Sequence, residues 1–598
     1  MRQIVGLKSP CRSWYNAATS SRATAGRCQT SRTKLSGGAA TVIRIRPEWA
    51  ALVAALALAL ILAGCGDGEE APTGSPVPTQ GTSFERPPVI DLASAQPLLT
   101  IFAGEPVPPP ADQPTGDLRS DIPSLTVGDF NADGIDDLLI GARFADGPDD
   151  SRKDAGEAYV IFGSRDLSGT IDLAKGEQGL TIFGATVGIS GPDGLGFSVA
   201  AGDLNGDDVD DIIVSSPFSE GPSADYRTDR GEVYVIFGRP DLGGTMDIAD
   251  APQDVTIIAA EGFSLLGDSM AVGDVNGDDI DDLILGAPFA GREPGSPHGG
   301  PRTELGETYV ILGSRTLSGS ISIPEKQQDF TISGPEQWSE LGDAVAVGDV
   351  NDDGIDDIIA VAEASDQPDG ERPNTGTAYV VFGSRELSGM VDTAKDEQDL
   401  TVLGVHEQDA LGFCVSSGDV NGDDIADIVL VAQRANGAGG TRTTSGEAYV
   451  IFGSSDLSGT IDTLANEQDI TIFAADAHDL LSSCLAGEDV NGDDLGDIIL
   501  GTGFAAGPSD SRDRGGEAYV IFGSRNLQRT LDLTMGFQGL VLFGAEPGDH
   551  FGAAMRTADL NGDGRQEIIV VASETDGPDN ARRDAGEIYL IDPTTGSQ

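Results

Sequence analysis

The sequence predicts an all-β chain, a seven-bladed β-propeller with four-stranded blades whose ring is closed by the N-terminal strand. Three observations predict it. An acidic segment of the form D-x-N-x-D-x-x-x-[DE] occurs seven times, starting at Asp129, Asp203, Asp274, Asp349, Asp419, Asp489 and Asp559. These starts stand 74, 71, 75, 70, 70 and 70 residues apart, the regular spacing of a repeat architecture. The last copy stops soon after Tyr589-Leu590-Ile591, and the segment it lacks is found instead at the N-terminal side.

Each repeat reads as about four short strands bounded by turn residues. A first run, such as Phe197–Ala200, precedes the acidic segment, and a second, such as Ile212–Val214, follows it. A polar loop rich in Gly, Pro and Arg leads to a GEAYVIFG-like strand, seen at 156–163, 231–238, 446–453 and 516–523. A further run, such as Leu180–Phe183, ends the unit. Continuous apolar runs like Tyr159–Phe162 suit strands buried on both faces. Repeated four-stranded units make a propeller. A parallel β-helix has a far shorter period, and its G-G-x-G-x-D nonapeptide is absent. The piece missing from the last copy corresponds to 169–184 in the first; it stands at Val89–Leu92 and Leu99–Phe102. The N-terminal strand therefore completes the last blade, which removes two exposed sheet edges.

The bulk numbers agree. The chain has 598 residues, long for one core unless a repeat spreads it out. Its 98 acids against 36 bases leave a net charge of −62, which argues against a nucleic-acid partner. Clustered acid requires solvent or a cation, and hard divalent cations take oxygen ligands. The five cysteines, Cys11, Cys28, Cys65, Cys414 and Cys484, show no zinc or redox spacing.

Residues 51–64, ALVAALALALILAG, form an apolar run too short to span a membrane, behind a basic flank. Residues 42–64 read as a secretion signal, and Leu62-Ala63-Gly64-Cys65 resembles a bacterial lipobox. That resemblance implies cleavage before Cys65 and a lipid on it; an ordinary signal peptide ending in Cys is the alternative. Residues 1–41 are basic and rich in Ser, Thr and Ala, a non-native or disordered leader, with Val42 as a candidate true start. Residues 65–88 form a lipid-anchored flexible linker, and the propeller occupies 89–598. The expected location is the bacterial cell envelope, exported and lipid-anchored, facing the surface or the periplasm.

The acidic segment has the chemistry of a calcium loop. Positions one, three and five offer side-chain oxygens, position seven a backbone carbonyl, and position nine a carboxylate, the start of an EF-hand-like cage without its twelfth-position Glu. The candidate ligands are Asp129, Asn131, Asp133, Ile135 and Asp137 in the first loop, and Asp203, Asn205, Asp207, Val209 and Asp211 in the second. The third offers Asp274, Asn276, Asp278, Ile280 and Asp282; the fourth Asp349, Asn351, Asp353, Ile355 and Asp357. The fifth offers Asp419, Asn421, Asp423, Ile425 and Asp427; the sixth Asp489, Asn491, Asp493, Leu495 and Asp497. In the seventh these are Asp559, Asn561, Asp563, Arg565 and Glu567. The curl needs residues that tolerate left-handed dihedrals, here Gly or Asp at position six and Gly at several fourth positions. A solvated acidic turn is the bland alternative for one copy; seven in phase favour up to seven Ca2+ ions.

These residues resemble the FG-GAP repeat family, which includes the N-terminal propeller of integrin α subunits. Gly286-Ala287-Pro288 matches its Gly-Ala-Pro, Phe551-Gly552 its Phe-Gly, and the seven loops its calcium loop, with Glu567 in place of Asp. The resemblance covers 89–592. Most copies carry Leu-Gly, such as Leu195-Gly196, in place of Phe-Gly, and the first has Ile122-Pro123. It implies calcium loops on one face and a partner, protein or glycan, on the other.

The loops joining the second and third strands open on that other face and carry Arg152, Lys153, Arg227, Arg230, Arg292, Arg302, Arg372, Arg434, Arg442, Arg512, Arg514, Arg582 and Arg583. They read either as guanidinium groups for acidic partners or, with more weight, as charges paired to Asp in their own loops. His406, His478 and His550 read as exposed loop histidines, and Cys414 and Cys484 as small buried thiols at equivalent positions, whose pairing the sequence leaves open. No G-x-S-x-G, H-E-x-x-H, P-loop or G-x-G-x-x-G motif is present. The expectation is a monomeric, lipid-anchored binding or adhesion module with no catalytic residues assigned. The alternative is a calcium-dependent polysaccharide hydrolase or lyase, with Tyr226 and Arg227 as a candidate pair.

Overall fold

The computed structural model describes residues 87–596 apart from 104–123, 149–150, 186–192, 221–229, 251, 260–263, 292–304, 337, 367–371, 578–581 and 583–584. The leader, the signal segment, Cys65, Tyr226 and Arg227 lie outside the described residues. The rest folds into seven sheets, one per acidic repeat.

In each sheet the first strand lies innermost, and the first strands touch one another around a closed ring. In the first blade Leu125–Gly128 pairs antiparallel with Asp137–Ala142, then Glu157–Ile161, then Leu180–Phe183. The second strands are buried, Asp211–Ser216 and Asp357–Ala362 from end to end and Asp137–Ala142 up to its last residue, because neighbouring blades cover both faces. This is why they read as unbroken apolar runs rather than alternating ones. The core is thus inter-blade: Leu139, Val160, Leu180 and Ile182 of one blade pack against Val199, Ile212, Val214 and Tyr234 of the next.

The sheets have five strands rather than the expected four. After its third strand the chain steps back to the preceding blade and lays down a short rib there. Gly244–Asp247 thus runs parallel to Leu180–Phe183, in register from Gly244 opposite Leu180. The rib covers the outer strand's open edge, which would otherwise expose a row of unpaired amides and carbonyls. The sequence pattern shows the rib as part of its own repeat; only the crossing shows that it serves the neighbour.

Ring closure follows the same rule. Leu99–Phe102 pairs antiparallel with the third strand of the last blade, as expected, with Leu99 opposite Leu590. Val89–Asp91 does not join that blade. It is the rib of the sixth, parallel to Gly539–Phe543 with Val89 opposite Val541. The N-terminal segment therefore ties two blades together.

Cys414 and Cys484 are joined in a disulfide, with Cα atoms 6.0 Å apart. They sit in the inner strands Leu411–Gly418 and Ser483–Glu488, so the bond staples blades five and six near the axis. The thiols expected from their small, crowded positions are in fact bonded because neighbouring inner strands converge to disulfide distance.

Candidate metal centre

Each acidic loop links the innermost strand to the second and is shaped by its own first carboxylate. Asp129 Oδ1 accepts from Asp133 N at 3.0 Å and its Oδ2 from Gly134 N at 2.8 Å. Asp203, Asp274, Asp349, Asp419, Asp489 and Asp559 accept from the same two positions. The fifth residue accepts from the seventh, as Asp133 Oδ1 does from Ile135 N at 3.0 Å. The curl places both the fourth and the sixth residue in the left-handed region: Ala132 and Gly134 have φ of 59° and 79°, Gly206 and Asp208 71° and 65°. Glycine at the fourth place also makes room for the next blade. A Cβ on Gly206 would stand 3.0 Å from Ile280, the seventh residue of the following loop.

The third and ninth residues interlock. Asn131 Nδ2 donates to both oxygens of Asp137, leaving its amide oxygen available to the loop. Asp137 is fully buried and accepts from Phe130 N at 3.1 Å and Gly163 N at 2.8 Å. The donor at Gly163 recurs at Gly238, Gly313, Gly383, Gly453 and Gly523. Burial pushes the ninth carboxyl up to about 7 in Asp137, Asp211, Asp282, Asp357, Asp427 and Asp497, against the pull of these backbone donors. A buried acid among other acids is the situation a bound cation relieves.

The all-oxygen donor set fits a hard divalent cation. The fit is closest in the seventh loop. Among the described residues, only there do three carboxylates, Asp559, Asp563 and Glu567, bring one oxygen each within 4.8 Å of one another. Glu567 Oε1 accepts from Asn561 Nδ2, while its buried Oε2 has no hydrogen-bond partner.

Sequence reasoning missed the eighth residue. Asp210 Oδ2 accepts from the amide of Asp129 in the preceding blade at 2.9 Å; Asp281 does so for Asp203, and Asp136 for Asp559. Asp356 serves Asp274 in the same way. These carboxylates are inter-blade clasps, not ligands. Blades five to seven carry Ala426, Gly496 and Gln566 there.

Arg292, Arg302 and Arg583 lie outside the described residues, and five of the other arginines of the opposite loops, Arg152, Arg372, Arg442, Arg512 and Arg582, pair outside their own loops. Arg152 grips Asp247 with both nitrogens, at 2.7 and 2.6 Å. Arg442 grips Asp532 at 2.9 and 2.7 Å, and Arg582 grips Asp172 at 2.6 Å twice. Arg512 takes Asp91, and Arg372 approaches Asp462 at 3.8 Å. Each acid ends the rib that the next repeat lends to the blade. The signal was available: Arg152, Arg227, Arg302, Arg372, Arg442, Arg512 and Arg582 each stand four residues before the Gly that opens the third strand.

The face opposite the loops carries acid of its own. Tyr234, Tyr449 and Tyr589 donate to Glu232, Glu447 and Glu587, two residues back in the same strand. Beside the last pair lies a cavity of about 400 Å³ lined by Glu546, Asp549, Glu574, Asp576, Glu587 and Tyr589. His550 next to it is buried rather than exposed, 4.8 Å from the Phe504 ring centre, and burial holds its pKa down to about 4. His406 and His478 are exposed as expected.

A closed β-propeller whose blades each carry an oxygen-rich loop between their first two strands defines the class. Three stretches, residues 123–161, 195–236 and 266–311, match the FG-GAP repeat. The chain is 27% identical over 258 residues to integrin alpha pat-2 of Caenorhabditis briggsae, a match covering 41% of this chain and 18% of that protein. It is 29% identical over 219 residues to the phosphatidylinositol-glycan-specific phospholipase D of Bos taurus, covering 37% of this chain and 24% of the enzyme. The mouse protein of the same name is 22% identical over 486 residues, 75% of this chain and 52% of that protein. The chain thus spans about half or less of each of these relatives.

Proposed function

We propose that this chain is a calcium-binding propeller, lipid-anchored through Cys65 to the outside of a bacterial membrane, that binds a protein or a glycan. Calcium clamps the loop face, and the partner is met on the opposite face. The observation that carries the reading is the sevenfold recurrence of an all-oxygen loop, in register, at the same end of every blade. Similarity to integrin α chains supports a binding or adhesion role. The disulfide supports export, since such bonds persist in oxidising compartments. With Arg152, Arg372, Arg442, Arg512 and Arg582 committed to the ribs, the acid-lined cavity at Asp549 and Glu587 is where partner screens begin.

The test is thermal unfolding of residues 66–598 in calcium, in magnesium and with a chelator. Binding confined to the folded state adds about 2.7 kcal/mol per site at a hundredfold excess over Kd. A large calcium-specific rise in Tm supports the reading. No calcium effect leaves the loops as solvated turns and removes the metal assignment.

A second reading is enzymatic, because several relatives are named phosphatidylinositol-glycan-specific phospholipase D. Cleavage of a polysaccharide or a glycan-bearing lipid by the purified protein in calcium would replace the binding role.

A further inference from the structure

We infer that the seventh loop is the pre-formed member of the set and takes its cation first, with an affinity about tenfold or more above the other six. This rests on the calcium-binding reading and goes beyond it, since a simple repeat predicts seven equal sites.

In the first six loops the ninth carboxylate is already in use. Asp282, for example, accepts from Val275 N at 3.1 Å, from Gly313 N at 2.8 Å and from Asn276 Nδ2 at 3.0 Å. It is anchored to the end of its own third strand. A cation arriving there must share these oxygens or draw the carboxylate out of its cradle.

The seventh loop departs at two places that act together. Glu567 is one methylene longer than Asp and reaches further into the loop. The residue aligned with Gly163 and Gly313 is Pro593, which has no N–H to give. Glu567 is only 3% exposed, and its Oε2 has no partner. This is the loop in which the carboxylates of positions one, five and nine converge within 4.8 Å. A cage assembled before the cation arrives avoids the rearrangement the others undergo, and site rigidity is one of the features that tune calcium affinity.

The test is a calcium titration of the protein by calorimetry, with bound ions counted by native mass spectrometry. The expected result is one tight step followed by weaker ones. Glu567→Gln removes the tight step and leaves the weaker ones; Asp282→Asn leaves the tight step in place. Pro593→Ala restores the missing amide and weakens the tight step while sparing Glu567, which covers the case of a Glu567 variant that fails to fold. Seven equal sites, or a tight step that survives Glu567→Gln, overturn the inference and leave the calcium reading standing. No calcium binding in the wild type overturns both.

Discussion

Arg512 and Asp91 lie 421 residues apart and form a two-point ion pair, with Nη1–Oδ1 and Nη2–Oδ2 both 2.7 Å. The pair fastens the strand Val89–Asp91 to the sixth blade. In Arg152–Asp247 and Arg442–Asp532 the same contact joins consecutive repeats. Here, and in Arg582–Asp172, it closes the ring.

Breaking this closure is expected to loosen the N-terminal segment before the ring opens. Asp91→Ala should cost about 1–2 kcal/mol, between a surface pair and a charge-assisted hydrogen bond. Chemical denaturation measures the loss, and limited proteolysis should show faster cutting near residue 90. An unchanged cutting rate would mean that strand pairing alone holds the segment.

The Cys414–Cys484 bond bridges 70 residues of sequence and links two inner strands. Replacing both cysteines by serine is expected to lower stability by about 2–4 kcal/mol. Denaturant midpoints with and without reductant report this. Peptide mapping under non-reducing conditions should recover the linked pair.

His550 and the rib carboxylates each tie stability to pH, over separate ranges. His550 is held neutral by burial down to about pH 4, whereas an unfolded histidine takes its proton near 6.5. Its contribution is therefore complete above pH 6.5 and declines as pH falls toward 4. The arginines beside Asp91, Asp172 and Asp247 hold those carboxyls below their usual range, Asp172 down to about 2. Their contribution is complete above the ordinary carboxylate value near 3.9 and is lost below it. The buried ninth carboxyls, raised to about 7, act in the opposite sense over the same range, so the readout is the difference in Tm between wild type and His550→Phe from pH 7 to 4. The wild type should lose ground to the variant as pH falls; parallel Tm curves would mean that the burial of a neutral His550 is not coupled to folding.

The clasp residues predict an asymmetry between blades. Asp210→Ala strips the acceptor from the amide of Asp129 and should cost about 1–2 kcal/mol. Ala426→Asp gives the fifth loop the same carboxylate, placed for the amide of Asp349 in the preceding blade, and should stabilise by up to about 1 kcal/mol. Matched denaturation curves test the pair; equal effects of opposite sign on Tm are not required, but reversed signs would remove the clasp assignment.

By itself, the sequence determined the repeat number, the all-β class and the thirty-five loop positions, because these are local. A period near 70 residues, runs of Val, Ile and Leu, and oxygen-bearing residues at fixed offsets all survive in one dimension. It also showed that the two ends belong together, since the missing piece of the last repeat was visible at Leu99–Phe102. Only the tertiary structure decided where each rib goes, because a parallel strand contributed to the neighbouring blade leaves no mark on its own repeat. The arginines and the eighth-position aspartates then found partners one repeat away. The disulfide emerged for the same reason: Cys414 and Cys484 become neighbours only when the ring brings two inner strands to 6.0 Å. The individuality of the seventh loop likewise needed three dimensions, since Glu567 and Pro593 are distant in sequence and share one hydrogen-bond position only once the last blade has folded.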